Sequence, residues 1–114
     1  MSKTPNLAIS IRQPYVEQIL RGVKKEEYRS RPTKITGRVY LYASLRPGSD
    51  KDFRSVDAVS GDLPTGVIVG SVEIVGCRYT SRLECFAYKL ANPKRLRRPI
   101  PPKHHPQPVW FHPF

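Results

Sequence analysis

The stretch Leu7–Arg31 constrains the fold most, because it places a strand, a short helix and a charged return strand in close succession. Leu7–Ile11 alternates and is rich in apolar and β-branched side chains, which predicts a β-strand. Pro14 then suits the first turn of a helix, where its missing N–H would have had no partner, and we expect this helix to end at about Arg21. Gly22 follows at the position where a left-handed residue commonly ends a helix, so the chain can reverse there.

The predicted helix is amphipathic. Its apolar side chains recur at the spacing of one helix face, and they are Tyr15, Val16, Ile19 and Leu20. The polar residues between them predict the face exposed to water, which comprises Glu17, Gln18 and Arg21.

The return segment is dense in charge, with Lys24, Lys25, Glu26, Glu27 and Arg29 close together. If it is a strand, alternation places Glu27 and Arg29 on one face with Lys25 and Arg31 beside them, while Lys24 lies at the turn. One interpretation, which spacing alone favours, is an exposed sheet edge blunted against aggregation by charge. The other is a site in which Glu27 orients the flanking cations and the planar guanidinium of Arg29 binds a phosphate or a base edge.

The middle of the chain predicts further strands at Gly37–Ser44, Gly66–Val75 and Glu84–Leu90. Gly70, inside the second of these, indicates a bulge or a close backbone approach. Leu45–Thr65 is interpreted as a long loop with a helical turn near Phe53–Val59. Loops of this length in compact domains often cover a functional site.

Glu73 is the one ionisable residue in Gly66–Val75. Two interpretations are open for it. It is either an outward-facing residue, which we favour, or a partner for Lys24 or Arg29 across the sheet.

The chain becomes basic and proline-rich from about Pro93, which predicts an extended or polyproline-like tail. Gln107–Phe111 is expected to form a final edge strand. Trp110 in that strand either closes the end of the fold, which we favour, or offers a surface on which a base stacks.

The length and charge of the chain restrict the kinds of binding partner to consider. The 114 residues suit one domain spanning 1–114, and the net charge of +11 with a pI near 10.1 makes a polyanion the first partner to consider. No segment approaches the roughly 20 apolar residues of a transmembrane helix, and Met1–Asn6 lacks the apolar stretch of a secretory signal. We therefore expect a cytoplasmic protein with no membrane partner.

Cysteine and histidine placement predicts no metal site and no cofactor. Cys77 and Cys85 match no zinc spacing, and we expect both thiols to be reduced. The histidines lie in the proline-rich tail without acidic or thiolate neighbours, and they are His104, His105 and His112. No histidine lies in the body of the chain, which excludes a Ser-His-Asp triad there.

Three runs of sequence, in this order, carry a resemblance to a known family: Ser10-Ile11-Arg12-Gln13-Pro14-Tyr15, Gly22-x-Lys24-x-x-Glu27-x-Arg29 and Gly37-Arg38-Val39-Tyr40-Leu41-Tyr42-Ala43-Ser44. The chain resembles an ASCH domain from Leu7 to about Trp110, including a basic run at Asn92–Leu96. ASCH domains belong to the PUA-like β-barrels, and their signature is a G-x-K-x-x-E-x-R motif after a helix opened by Gln-Pro-aromatic.

The resemblance implies more about the fold than periodicity does. Periodicity alone predicts a β-rich α+β domain, whereas the resemblance implies a small, mostly β, PUA-like β-barrel of five or six strands with a short N-terminal helix. It also implies RNA association in a cleft lined by Gln13, Lys24, Glu27 and Arg29. We add three further residues from the same runs of sequence to these four. The candidate ligand-binding residues are then Arg12, Gln13, Tyr15, Lys24, Glu27, Arg29 and Ser44.

The first function class is a module that binds single-stranded or structured RNA, or a nucleotide-like ligand. Cations would follow the phosphates, and the candidates are Arg12, Lys24, Arg29 and Arg31 together with the late basic run. Aromatic side chains interleaved with them would stack unpaired bases, and these are Tyr15, Tyr28, Tyr42 and Trp110.

The second class is a small hydrolase acting on RNA or modified nucleosides. Some ASCH-like proteins remove the acetyl group from acetylated cytidine with a lysine, a threonine and a glutamate. Lys24 matches that lysine, but Glu27 stands where the threonine would fall, so that route lacks its nucleophile. In RNA cleavage, Lys24 or Arg29 would stabilise developing charge and Glu27 would accept the 2′-hydroxyl proton, which makes Lys24 and Glu27 the catalytic candidates.

A third class, a protein-interaction module built on the proline-rich tail, is disfavoured. Basic residues interrupt the prolines, and no clean P-x-x-P repeat is present.

Overall fold

Six β-strands and two short helices make up the computed structural model, which describes residues 5–58, 61–104, 106 and 109–114. In chain order they are β1 (Ala8–Ile11), α1 (Tyr15–Leu20), β2 (Glu26–Arg29), β3 (Gly37–Ala43), α2 (Asp50–Arg54), β4 (Val67–Thr80), β5 (Cys85–Ile100) and β6 (Trp110–Phe111). This content confirms the mostly β, α+β class. Among the described residues, no helix has both the length and the hydropathy needed to cross a membrane.

All six strands belong to one sheet in the order β2-β5-β4-β3-β1-β6. β1 pairs with β3 in parallel, and every other neighbouring pair is antiparallel. The backbone ladder does not close, because β2 and β6 are its two edges, so the predicted barrel is an open one. The sheet nevertheless curls, since Tyr88 of β5 stacks on Trp110 of β6 with the ring centroids 6.5 Å apart.

Helix α1 and one face of the sheet enclose the main core. Val16 and Ile19 of α1 are buried in it together with strand residues such as Leu41 of β3. Tyr42, the next residue of β3, is buried on the opposite face in a smaller cluster with Phe111 of β6. β3 therefore has buried side chains on both faces, and β6 covers the second one.

The polar face of α1 differs from its prediction. Gly22 has the left-handed φ of +78° that the sequence predicted after this helix. The prediction that Glu17 faces water is wrong, because Glu17 is only 5% exposed. Arg95 of β5 donates two hydrogen bonds of 2.8 Å to the Glu17 carboxylate, and Arg21 donates a third of 2.6 Å. Glu17 is covered because β5 passes beside the helix, whereas Arg21 stays exposed as predicted.

The segment between β3 and β4 contains α2, which begins earlier than the predicted helical turn near Phe53–Val59 and overlaps it only at Phe53 and Arg54. Ser49 caps α2, and its side chain accepts a hydrogen bond of 3.4 Å from the N–H of Asp52. Phe53 is buried, which fixes α2 to the rest of the fold. Val59, at the end of the predicted turn, lies outside the described residues.

β4 and β5 form a longer hairpin than the predicted strands Gly66–Val75 and Glu84–Leu90. The prediction of a polyproline-like tail from Pro93 is wrong as far as the end of β5, which runs through that residue. Asn92 has a φ of +50° and lies at a register shift in the ladder with β4, so a bulge accommodates the proline. β2 pairs with β5 only at Phe86–Lys89. The later part of β5 therefore has one side without a neighbouring strand, where a proline, which has no N–H, breaks no hydrogen bond of the sheet.

The chain after β5 returns to the start of β1. β6 pairs with β1 as an edge strand, so the part of the predicted strand Gln107–Phe111 that the structure describes is confirmed. The N–H of Lys103 donates to the carbonyl of Pro113 at 2.7 Å. Gln107 and the tail residue His105 lie outside the described residues.

Glu73 has its partner on the neighbouring strand. Arg38 of β3 donates a hydrogen bond of 3.3 Å to its carboxylate. The interpretation of Glu73 as a partner for Lys24 or Arg29 is therefore wrong, and the side chain is partly exposed on the outside of the sheet.

Gly70 of β4 has no room for a side chain. The ladder shifts register beside it, as predicted, and an added Cβ would collide with the carbonyl oxygen of Lys94 and lie 2.7 Å from the Leu20 side chain. We expect Gly70→Ala to lower the free energy of unfolding by about 1–3 kcal/mol in urea denaturation. Gly76→Ala in the same strand is the control, because nothing lies within 4 Å of its Cβ position. Equal stability of the two variants would contradict the tight packing at Gly70.

The buried Glu17 carboxylate predicts acid sensitivity. Burial raises the pKa of Glu17, but the hydrogen bonds from Arg95 and Arg21 outweigh it and hold the pKa below its ordinary value of 4.5. A pKa depressed by folding stabilises the protein fully above the unfolded value, and this contribution is lost as pH falls through the folded value. The free energy of unfolding should therefore fall more steeply below about pH 4.5 in the parent than in Glu17→Gln. The exposed Glu84, changed to Gln, is the control and should follow the parent. Parallel curves for the parent and Glu17→Gln would exclude the effect.

Candidate functional site

The parallel strands β1 and β3 end at the same side of the sheet, and a cleft of about 640 Å³ opens there. Its walls come from the ends of these strands, from the start of α1 and from β2. The lining residues are Ser10, Ile11, Arg12, Tyr15, Glu27, Arg29, Ser44, Leu45 and Arg46. The volume falls within the range typical of small-ligand sites.

Glu27 and Arg29 lie on one face of β2, as strand alternation predicted, and form the floor of the cleft. Arg29 donates from Nε to Glu27 Oε2 at 2.9 Å and from Nη2 to the carbonyl of Ser10 at 2.7 Å. Lys24 Nζ lies 3.6 Å from the other carboxylate oxygen of Glu27. The Glu27 side chain is only 10% exposed, so its charge is held between two cations.

Lys24, rather than Lys25, supplies the second cation of this cluster. The Lys24 ammonium also lies 5.8 Å from the ring centroid of Tyr15 and 5.0 Å from that of Tyr28, where the negative ring faces attract it. Lys25, expected beside Glu27, borders a second, smaller pocket of about 260 Å³, which Lys24 also lines.

Tyr15 connects the cleft to α2. Its hydroxyl donates a hydrogen bond of 2.6 Å to Asp52, which also accepts one of 2.8 Å from Ser49. The hydrogen bond to Asp52, together with burial, raises the pKa of Tyr15, so the phenol stays protonated. The same bond, with that from Ser49, lowers the pKa of Asp52. Asp52 was missed from the sequence, although Ser49 followed three residues later by an acidic side chain is a recognisable helix start.

Gln13, predicted to line the cleft, lies beneath it. The residue is 1% exposed, and its amide donates to the carbonyl of Pro64 at 3.1 Å and accepts from the N–H of Glu17 at 3.1 Å. Both ends of the amide are thus used to join α1 to the segment before β4. Gln13 can position the cleft but presents no free polar group to it.

Arg12 and Arg46 differ from Arg29 in being free to bind. Both are exposed, and neither guanidinium has a hydrogen bond or ion pair with another described residue. Arg46 was missed from the sequence. The signal for it is its position just after β3, which ends beside β1 at the cleft.

The predicted candidates thus divide into three groups. Arg12, Tyr15, Glu27, Arg29 and Ser44 lie together around one cleft, Lys24 is held beside them by Glu27, and Gln13 is buried beneath. The cleft residues carry three guanidinium groups and one carboxylate, which already has its own partners. The site is therefore suited to an anionic ligand.

Comparison with known proteins identifies the family of the chain. Residues 9–99 match the family model of the ASCH domain, a range that contains every residue of the cleft. One relative is Activating signal cointegrator 1 from Homo sapiens, with 22% identity over 125 aligned residues. The alignment covers 90% of this chain but only 21% of that protein, so the chain spans about a fifth of the relative's length. On the extent of the family match, the chain belongs to the ASCH domain family.

Proposed function

We propose that this protein binds RNA, single-stranded or structured, or a nucleotide-like part of it, in the cleft at the ends of β1 and β3. The observation that carries the proposal is the pair of exposed guanidinium groups of Arg12 and Arg46, which have no partner among the described residues. They stand at a cleft in whose described lining Glu27 is the only acidic residue, and Glu27 is already paired. Guanidinium groups bind phosphate oxygens through two parallel hydrogen bonds, so they suit a phosphodiester.

The floor of the cleft supports the same ligand. Because Lys24 and Arg29 neutralise Glu27, that carboxylate does not repel a phosphate in the way that an unpaired one would. Arg29 uses Nε and Nη2 for Glu27 and Ser10, and its Nη1 remains for a ligand. The ring of Tyr15 adds an aromatic surface to the wall, where a base can stack.

Two wider features also support RNA. The net charge of +11 favours a polyanion of any sequence, and ASCH-like sequences are associated with RNA. The hydrolase alternative has less support, because both carboxylate oxygens of Glu27 face cations and the group would have to leave at least one of them to accept a proton.

Arg12 provides the first test. We expect Arg12→Ala to weaken binding of a labelled single-stranded RNA about tenfold, or ~1.4 kcal/mol, in fluorescence anisotropy. The slope of log affinity against log salt should also fall by about 0.7, the value for one lost phosphate contact on a single strand.

Lys103→Ala is the charge-matched control for this test. Lys103 is exposed and bonds Pro113 through its backbone, next to His112, which contacts Asn6 before β1. It therefore lies toward the opposite end of β1 from Arg12, and its substitution should leave affinity near that of the parent. Equal losses in the two variants would mean that RNA senses net charge and not the cleft.

Lys24 and Glu27 distinguish a binding module from an enzyme. We expect the parent protein to leave single-stranded RNA and acetylated cytidine intact, while Lys24→Ala weakens RNA binding and remains folded by circular dichroism. Cleavage or deacetylation by the parent that disappears in Lys24→Ala would reassign the cleft to a hydrolase. In that case Glu27→Gln should retain binding and lose turnover, because the amide keeps the shape but cannot accept a proton.

A further inference from the structure

A row of three side chains runs across the sheet from the cleft floor toward the β4–β5 hairpin. Arg29 of β2 is paired with Phe86 of β5, and Phe86 is paired with Tyr79 of β4. Residues directly opposite each other in antiparallel strands have their side chains on the same face, so all three lie on the face that carries Glu27. Neighbouring strands are about 4.8 Å apart, so the backbones of Phe86 and Tyr79 lie about one and two strand spacings from the backbone of Arg29.

Phe86 and Tyr79 form a supported aromatic pair. Their ring centroids are 5.3 Å apart with the planes at 69°, and Phe86 packs against the main core. Tyr79 is 55% exposed, although a tyrosine of this size usually buries more of its ring in a small domain. The pair thus offers a supported, accessible aromatic surface on the two strands next to β2, the strand that supplies Glu27 and Arg29 to the cleft.

The surroundings of this pair favour a nucleic acid over a protein partner. The turn of the hairpin also carries exposed Arg82, which suits a phosphate next to a stacked base, whereas Arg78 is paired with Glu26 at 3.6 Å. The other exposed large apolar side chains described in the hairpin are Leu83 in the turn, Val75 of β4 and Ile100 at the end of β5. These few apolar groups, separated by cations, do not make the continuous patch of several hundred Å² that a stable protein interface uses.

We infer that Tyr79 and Phe86 form a stacking platform for one unpaired RNA base, next to the nucleotide that the cleft holds. The inference rests on the proposed RNA binding and extends it, because it makes the preferred ligand at least a dinucleotide. Aromatic platforms of this kind bind bases with little sequence preference, since every base has a π-face. The cleft then binds phosphate through Arg12, Arg29 and Arg46, and the platform accepts the neighbouring base.

The experiment compares adenosine monophosphate with 5′-phosphorylated diadenylate, which differ by one nucleotide, in competition against a labelled oligoadenylate. Tyr79→Ala should weaken diadenylate at least about fivefold and leave adenosine monophosphate unchanged. Tyr79→Phe should bind both ligands like the parent, because it keeps the ring. Leu83→Ala, which removes an exposed apolar side chain from the same hairpin, should have no effect on either ligand.

An abasic dinucleotide separates stacking from a general change in the hairpin. If the second base lies on the platform, its removal should weaken binding to the parent by about as much as Tyr79→Ala does. The abasic ligand should then bind the parent and Tyr79→Ala equally. Thermal unfolding of each variant checks that the fold is retained.

The outcomes distinguish this inference from the proposed function. If Tyr79→Ala binds diadenylate as tightly as the parent while Arg12→Ala weakens both ligands, the platform is overturned and the RNA cleft stands. If Tyr79→Ala weakens the mononucleotide as much as the dinucleotide, the separate platform is likewise overturned. If neither ligand shows binding that depends on Arg12, both proposals fail.

Discussion

The guanidinium group of Arg29 is the contact on which the cleft depends. β2 is an edge of the sheet and has no backbone ladder with β1, yet Arg29 crosses from β2 to the carbonyl of Ser10 in β1. The same side chain holds Glu27, which in turn holds Lys24. One residue therefore joins two parts of an open sheet and sets the charge of the cleft floor, so the integrity of the fold and the chemistry of the site share a single side chain.

Two buried glutamates are each paired with two cations. Glu27 lies between Arg29 and Lys24, and Glu17 lies between Arg95 and Arg21. Removing a carboxylate from water is costly, and paired cations offset that cost only where the geometry is good. In a chain with a net charge of +11, each glutamate fixes two cations that would otherwise repel one another. Arg12 and Arg46 line the same cleft and have no such partner among the described residues.

Local patterns in the sequence predicted the local parts of this structure. The period of two in β2 placed Glu27 and Arg29 on one face, and a glycine at position 22 ended α1 as expected. The failures involve partners far apart in the chain. Glu17 is buried because Arg95, 78 residues later, reaches it, and Gln13 leaves the cleft wall because Pro64, 51 residues later, takes its amide. The hydrophobic periodicity of α1 cannot predict these partners, because they belong to other parts of the chain. β5 continues through Pro93 for a reason that also lies far away in the chain: its pairing with β2 stops at Lys89, before the proline.

The parallel pairing of β1 with β3 has a kinetic consequence. The β4–β5 hairpin closes through a short turn, whereas Ala8 meets Tyr40 only after the whole of α1 and β2 has been accommodated between them. Closing a longer loop costs more conformational entropy, so contacts distant in sequence tend to form later. We therefore expect the hairpin to assemble first and the cleft to be completed late, because its floor comes from β2, whose Glu27 meets Tyr88 across a longer stretch of chain than separates β1 from β3. A chain arrested partway would contain most of its sheet but not the walls of the cleft.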